Sequence, residues 1–436
     1  MQHFPDVWVT LSIPAFAHDL DIWLVGSATW IPRRKAKGPI MEFRIAIYSL
    51  VWLIWASPVF VKGQETISAT DYRRWEKGVS KDPNYFPIGV WLQAPRNAEK
   101  YRNAGINLYV GLWKGPTEEQ LQVLQQAGMK LICSQNDVGM QSKYSDVIAG
   151  WMHGDEPDNA QSRRDGKGYD PPILPSVIQA DYERIRRKDP SRPVLLNLGQ
   201  GVAFDQYMGR GTRRNHPEDY AEYVQGSDIV SFDIYPAVHD HPDVAGKLER
   251  VAEGVERLRK WSKDEKIVWN CIECSRISNE KVKPNASQIR AEVWMSIIHG
   301  SRGLIYFVHQ FKPTFQEASV LNDQELLPAI TELNRQIQSL APVLNSPSLD
   351  GKAITVSDDA ASRIAVMCKE YLGDRYIFAV NMRNNDTKVN IRMVSEQKYS
   401  VAEVLGEERR VELRDQVLQD SFPAYGVHLY HLRLQP

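Results

Sequence analysis

From Phe86 onward, short apolar runs alternate with longer amphipathic stretches. The runs are FPIGVW (86–91), NLYVGLW (107–113), KLICSQ (130–135), VIAGWMHGDEP (147–157), PVLLNLGQ (193–200), DIVSFDIYP (228–236), KIVWNCIECS (266–275) and GLIYFVHQF (303–311). Their near-continuous apolarity suits strands covered on both faces, as in a parallel sheet. Between them lie helix-like stretches. EEQLQVLQQAG stops at Gly128, others run from Pro242 to Ser262 and from Ala286 to His299 before Gly300, and a last one spans roughly 323–340. This alternation predicts an α/β fold, a (β/α)₈ TIM barrel. No G-x-G-x-x-G follows the first strand, which argues against a dinucleotide-binding sheet.

After Pro342 the texture changes to short alternating segments separated by Asp, Asn and Gly: KAITVS, RIAVMCKEY, RYIFAVNMR, KVNIRMV, YSVAEVL, RRVELRD and GVHLYHLRL. They predict a small C-terminal all-β sandwich over 343–436, read as a buttress for the barrel. At the other end, residues 45–61 are apolar and uncharged, with Arg44 before them and Gly63 after, so 41–63 reads as a signal peptide or membrane anchor. The forty residues before Met41 form no periodic element and read as a mis-assigned extension, with translation starting at Met41. The barrel then occupies 64–342, in a protein that is secreted or periplasmic, with a membrane contact only if the apolar segment stays uncleaved.

Composition narrows the partners. The formal net charge is −1, which gives no electrostatic footprint for nucleic acid and suits a neutral substrate. The 12 Trp and 18 Tyr supply flat side chains that either stack on sugar rings or pack in the core. Cys133, Cys271, Cys274 and Cys368 are too scattered for a disulfide framework and lack zinc-spaced His partners, so they read as buried thiols. No metal or cofactor is expected.

Barrel enzymes carry their chemistry at the carboxyl ends of the strands. Two glutamates stand there: Glu156 after the fourth strand and Glu273 at the end of the seventh. Placed across the mouth, they would form the general acid/base and the nucleophile of a glycosidic cleavage. Each has a plainer reading. Asp155, Glu156 and Asp158 around Pro157 would also suit a helix cap, and Glu273 a salt bridge to Arg276 or another barrel arginine. Asp233, Trp91, Trp113, Gln135, Asn136, Asn197, His309 and Gln310 lie at or near strand ends as wall or sugar-binding candidates, with His153 and His239 of the same grade.

Gly-Asp-Glu-Pro at 154–157 and Ile-Glu-Cys at 272–274 resemble the two catalytic motifs of clan A glycoside hydrolases, the superfamily of cellulases, mannanases and β-galactosidases. That resemblance implies a retaining glycosidase acting on a poly- or oligosaccharide, with Glu156 as acid/base and Glu273 as nucleophile. It also implies that Tyr235 donates a hydrogen bond to Glu273. The clan's asparagine before the acid is Asp155 here, which could still accept from a sugar hydroxyl and whose charge would help keep Glu156 protonated. The alternatives are a non-catalytic glycan-binding barrel and an unrelated barrel hydrolase. A metal-dependent hydrolase would want clustered ligands, whereas His153, His239 and His309 are dispersed.

Overall fold

A computed structural model describes residues 68–163, 165–356 and 363–434. The expected extension (1–40) and apolar segment (41–63) lie outside the described residues. Among the described residues no helix is long and apolar enough to cross a membrane.

All eight predicted barrel strands form: β1 Ile88–Trp91, β2 Leu108–Val110, β3 Lys130–Cys133, β4 Ile148–Met152, β5 Val194–Leu198, β6 Ile229–Phe232, β7 from Ile267 to Glu273 with a break at Trp269, and β8 Leu304–Phe307. Every neighbouring pair is parallel. The circuit closes because the first half of β7 pairs with β6 and its second half with β8, which returns to β1. The strands are as apolar as predicted because both faces are covered. Leu108, Ile132, Leu195, Ile229, Ile267 and Ile305 fill the barrel interior, while Val90, Leu131, Leu196 and Ile272 meet the helices. The lower end is plugged by Tyr72 and Trp75. The Trp269 indole N–H donates to the Tyr72 hydroxyl at 2.7 Å, and that hydroxyl donates to the Arg302 carbonyl at 2.8 Å.

The helices are α1 Ala98–Asn103, α2 Glu118–Gln126, α3 Asp137–Gln141, α4 Pro175–Lys188, α5 Tyr220–Tyr223, α6 Arg250–Trp261, α7 Ala286–Ile298, α8 Leu326–Ser339 and α9 Ala341–Asn345. The stretch expected to be helical from Pro242 winds only from Arg250, because Gly246 sits at φ +74°, in the left-handed region where a helix cannot run through. α7 shows almost no amphipathicity: Ile289 and the run Ala291–Ile297 are all buried. A helix apolar on every side must be enclosed on every side. α7 is, with β7 beneath it and the C-terminal sheet above, where Trp294 stacks on Phe378 at 5.4 Å between ring centroids.

The C-terminal part is the expected all-β unit. Eight antiparallel strands, not seven, form one curled sheet around Ile377, Ile391, Leu418 and Tyr430. The additional strand, Val417–Phe422, reads VLQDSF, and its polar Gln-Asp-Ser centre hides the alternation. Arg383 pairs with Glu249, and Lys369 donates to the carbonyls of Leu344 and Ser346 at 2.8 and 2.6 Å, so the sheet is fastened to the barrel.

Candidate active site

The carboxyl ends of β4, β5 and β6 deliver a carboxylate cluster. β4 runs out through His153 into Gly154, where a methyl group would meet nothing within 4 Å, so the chain emerges into open space. Glu156 follows at φ +43°, a left-handed conformation that costs a non-glycine residue roughly 1–2 kcal/mol. Three local hydrogen bonds hold it there: Glu156 N–H to the Asn197 carbonyl (3.2 Å), Asn159 N–H to the Glu156 carbonyl (3.1 Å), and the Gln161 amide to that same carbonyl (3.4 Å). Such strain is sustained only where the surroundings enforce it, which is common at functional sites.

Asn197 at the end of β5 is the hub. Its amide N–H groups donate to Asp155 and to Asp233, each at 2.9 Å. Its oxygen accepts from the Ser231 hydroxyl at 2.7 Å and lies 3.7 Å from the Cys271 sulfur, which fixes the amide with its donors toward the carboxylates. Tyr235 donates to the other oxygen of Asp233 at 2.6 Å.

Electrostatics orders the three acids. Burial, then the charges of Asp233 and Asp155, push Glu156 well above the usual glutamate range. Asp155 reaches solvent as a residue, yet its carboxylate is crowded by protein. That desolvation, with the charge of Asp233, raises it to about 7. Asp233 is raised by burial but opposed by the hydrogen bonds from Tyr235 and Asn197, which favour its charged form. Within one site, hydrogen bonds thus favour the carboxylate form of Asp233, while burial and neighbouring charge favour the acid form of Glu156.

Glu273 does not join this cluster. It has no exposed surface, its two carboxylate oxygens accept the N–H groups of Ala237 (2.6 Å) and Val238 (3.0 Å), and its remaining neighbour is Glu292 of α7. The rings of Tyr235 and Phe307, 5.1 Å apart, lie together at the adjoining ends of β6 and β8. Glu273, expected as one of two glutamates facing across the mouth, is fully enclosed, and among the described residues no salt bridge joins it to an arginine. Tyr235, expected to donate to Glu273, donates to Asp233 instead. Nor do Asp155, Glu156 and Asp158 cap a helix. The chain turns into a two-stranded ribbon, and Asp158 accepts from Gly199 N–H and the Tyr220 hydroxyl.

The other candidates divide by what already engages them. Asn136 is the N-cap of α3, accepting from Gly139 N–H at 2.8 Å and donating to the Pro116 carbonyl, so its side chain is spent on structure. Gln135 donates to the Ile185 carbonyl and His153 meets the Gly226 carbonyl at 2.8 Å. His309 is buried against Gln93 at 2.8 Å, and Trp91 is 5% exposed within the barrel interior. His239 meets Gln200 at 2.8 Å. Trp113 is 58% exposed beyond β2. Glu292 was invisible to motif reading. Its only signal is a single acid in the otherwise uncharged helical run AEVWMSII. The four cysteines are free and buried. Among the described residues no group of three or more His, Cys, Asp or Glu is placed to hold a metal ion.

A cleft of about 450 Å³ opens at the opposite end, where the barrel meets the C-terminal sheet, lined by Arg259, Asp264, Arg302 and Lys369 among others. Arg259 is taken by Asp264 and the His299 carbonyl, and Lys369 by two backbone carbonyls. That end of a barrel serves stability rather than chemistry.

No protein-family model and no curated protein matches the chain. Solved structures do. The α-amylase of Geobacillus thermoleovorans, solved with acarbose, superposes with a TM-score of 0.50 at 9% identity, over 82% of this chain and 100% of its own. A candidate α-galactosidase/melibiase of Bacteroides fragilis gives a TM-score of 0.51 at 10% identity, over 80% of this chain and 79% of its own. The chain therefore has the architecture of these glycoside hydrolases, a (β/α)₈ barrel followed by an all-β unit.

Proposed function

We propose that the protein is a glycoside hydrolase of a poly- or oligosaccharide whose reacting carboxyls are Glu156 and Asp233. The observation that carries this reading is the carboxyl cluster at the barrel mouth, with Glu156 on its left-handed turn and Asp233 accepting from Tyr235 and Asn197. Glu156 donates its proton to the glycosidic oxygen as the C–O bond breaks. Asp233 attacks the anomeric carbon from the other side and forms a glycosyl ester. Glu156, now a carboxylate, then takes a proton from water as that water attacks the anomeric carbon and releases Asp233. Passage through that glycosyl ester inverts the anomeric carbon twice and so retains its configuration. Asp155, beside the acid, is suited to accept from a sugar hydroxyl, and Trp113 to form part of the rim.

The neutral overall charge and the absence of a strongly basic composition favour a neutral glycan. The reading places action outside the cytoplasm, with 41–63 as the export segment. Incubation with a panel of aryl glycosides and polysaccharides, with the first-formed anomer followed by proton NMR, tests it. Hydrolysis with retained configuration is expected. Absence of hydrolysis across α- and β-linked hexosides and pentosides defeats the proposal.

A further inference from the structure

The cleft at the amino-terminal end of the barrel strands holds more positive charge than its carboxylates offset. It lies between the start of β7, the turn before β8 and two strands of the C-terminal sheet, Ala353–Val356 and Ile364–Tyr371. Four cations line it, Arg259, Lys266, Arg302 and Lys369, against two carboxylates, Asp264 and Asp350. Asp264 is paired with Arg259 at 2.7 Å. Asp350 is exposed, and its charge acts on Lys369 less than that of Arg302 does.

Lys266, Arg302 and Lys369 are held by neutral oxygens. Lys266 donates to the Ser227 carbonyl at 2.7 Å, Arg302 to the Thr70 hydroxyl at 3.2 Å, and Lys369 to the Leu344 and Ser346 carbonyls. Among the described residues no salt bridge joins any of the three to an acid. Lys369 is only 6% exposed, and burial, together with the Arg302 charge, lowers its ammonium to about 8. A buried cation without a counter-charge is costly, and a second cation beside it adds repulsion. The two carbonyls take two of the three ammonium N–H donors, so one donor and the whole charge remain uncompensated.

An oxyanion answers both needs. Its charge offsets the pair, and its oxygens accept charge-assisted hydrogen bonds from ammonium and guanidinium groups. The volume of about 450 Å³ falls in the range of small-molecule sites, and Phe86, Val268, Leu344 and Leu349 contribute apolar side chains to the wall. That combination suits a small organic molecule with a phosphate, sulfate or carboxylate group.

We propose that the cleft between the barrel and the C-terminal sheet binds an oxyanion-bearing small molecule through Lys369 and Arg302. Lys369 belongs to the sheet and Arg302 to the turn before β8, so the bound anion joins the two parts. Such a ligand raises stability by mass action and takes no part in bond breaking at the mouth. The site stands whether or not the mouth hydrolyses a glycan.

Isothermal titration of the protein at constant ionic strength tests it, with inorganic phosphate, sulfate and acetate as probes and chloride as the balancing salt. At least one probe should bind with a dissociation constant of about 1 mM or tighter, and the tightest one distinguishes a phosphorylated or sulfated ligand from a carboxylate. K369M and R302Q, each with its unfolding transition checked, should weaken that binding by at least about tenfold. K388Q removes an exposed lysine outside the cleft lining and should stay within about twofold of the parent. R302Q carries the test alone should K369M fail to fold. Absence of binding by all three probes, unchanged affinity in the folded cleft variants, or an equal loss in K388Q overturns the site.

Discussion

Glu292→Gln should make the protein less sensitive to rising pH, and the reason lies in two enclosed carboxyl groups. Glu273 and Glu292 have no exposed surface, and they adjoin each other between β7 and α7. Glu273 is satisfied as an anion by two backbone N–H donors, whereas neither oxygen of Glu292 accepts a hydrogen bond. Glu292 is therefore satisfied only as the acid, donating to Glu273. Burial and the Glu273 charge push it well above the glutamate range, while burial raises Glu273 to about 7.

An acid whose folded value is raised stabilises the fold below its unfolded value, and that stability is lost as pH rises toward the folded value. Each such proton costs about 1.4 kcal/mol of stability per pH unit above the ordinary glutamate range. Glutamine keeps the donor toward Glu273 and removes one of the two protons. Between about pH 5 and about pH 7.5 the variant should gain about 3 kcal/mol relative to the parent as an upper bound, and half of that is readily measured. Urea unfolding followed by tryptophan fluorescence at the two pH values reads the difference. Parallel stability curves for the two proteins would refute the buried acid pair.

Other substitutions probe the mouth and the buttress. Asp155→Asn removes a charge that helps keep Glu156 protonated, so the alkaline limb of kcat/KM should move down by on the order of one pH unit; an unmoved or raised limb contradicts the coupling. Phe378→Ala removes the ring stacked on Trp294 and should cost about 3–5 kcal/mol in urea unfolding, with a loss under 1 kcal/mol speaking against a fastened β unit. For export, amino-terminal sequencing of secreted protein should find a start close to Gln64, and an intact chain carrying residues 1–40 would contradict the assigned start and cleavage.

The barrel was legible because parallel strands covered on both faces leave short apolar runs, as VLLNL and IVSF show, that recur between longer amphipathic stretches. The strand VLQDSF was not, since a polar residue at the inward-facing Asp420 breaks the apolar period of two between Leu418 and Phe422. At the site, the motif pointed to the turn that carries Glu156, but its left-handed conformation is held by a hydrogen bond to β5 and two within the turn, which sequence spacing does not encode. Glu273 shows the limit most clearly. A carboxylate at a strand end reads as functional, yet two backbone amides of the following β6 segment and a glutamate nineteen positions on give it an interior partner set. Asp233, placed in the sequence only as a pocket wall, owes its proposed role to Asn197 and Tyr235, whose convergence is a product of barrel closure.

The decisive comparison is between D233N and E273Q on an aryl glycoside that the parent hydrolyses, with folding of each checked by its unfolding transition. Loss of the attacking carboxylate should lower kcat/KM for D233N by at least about 10³-fold, whereas E273Q, altered only inside the wall, should stay within about tenfold of the parent. A folded E273Q without activity beside a D233N close to the parent would contradict the assignment and return the nucleophile to β7.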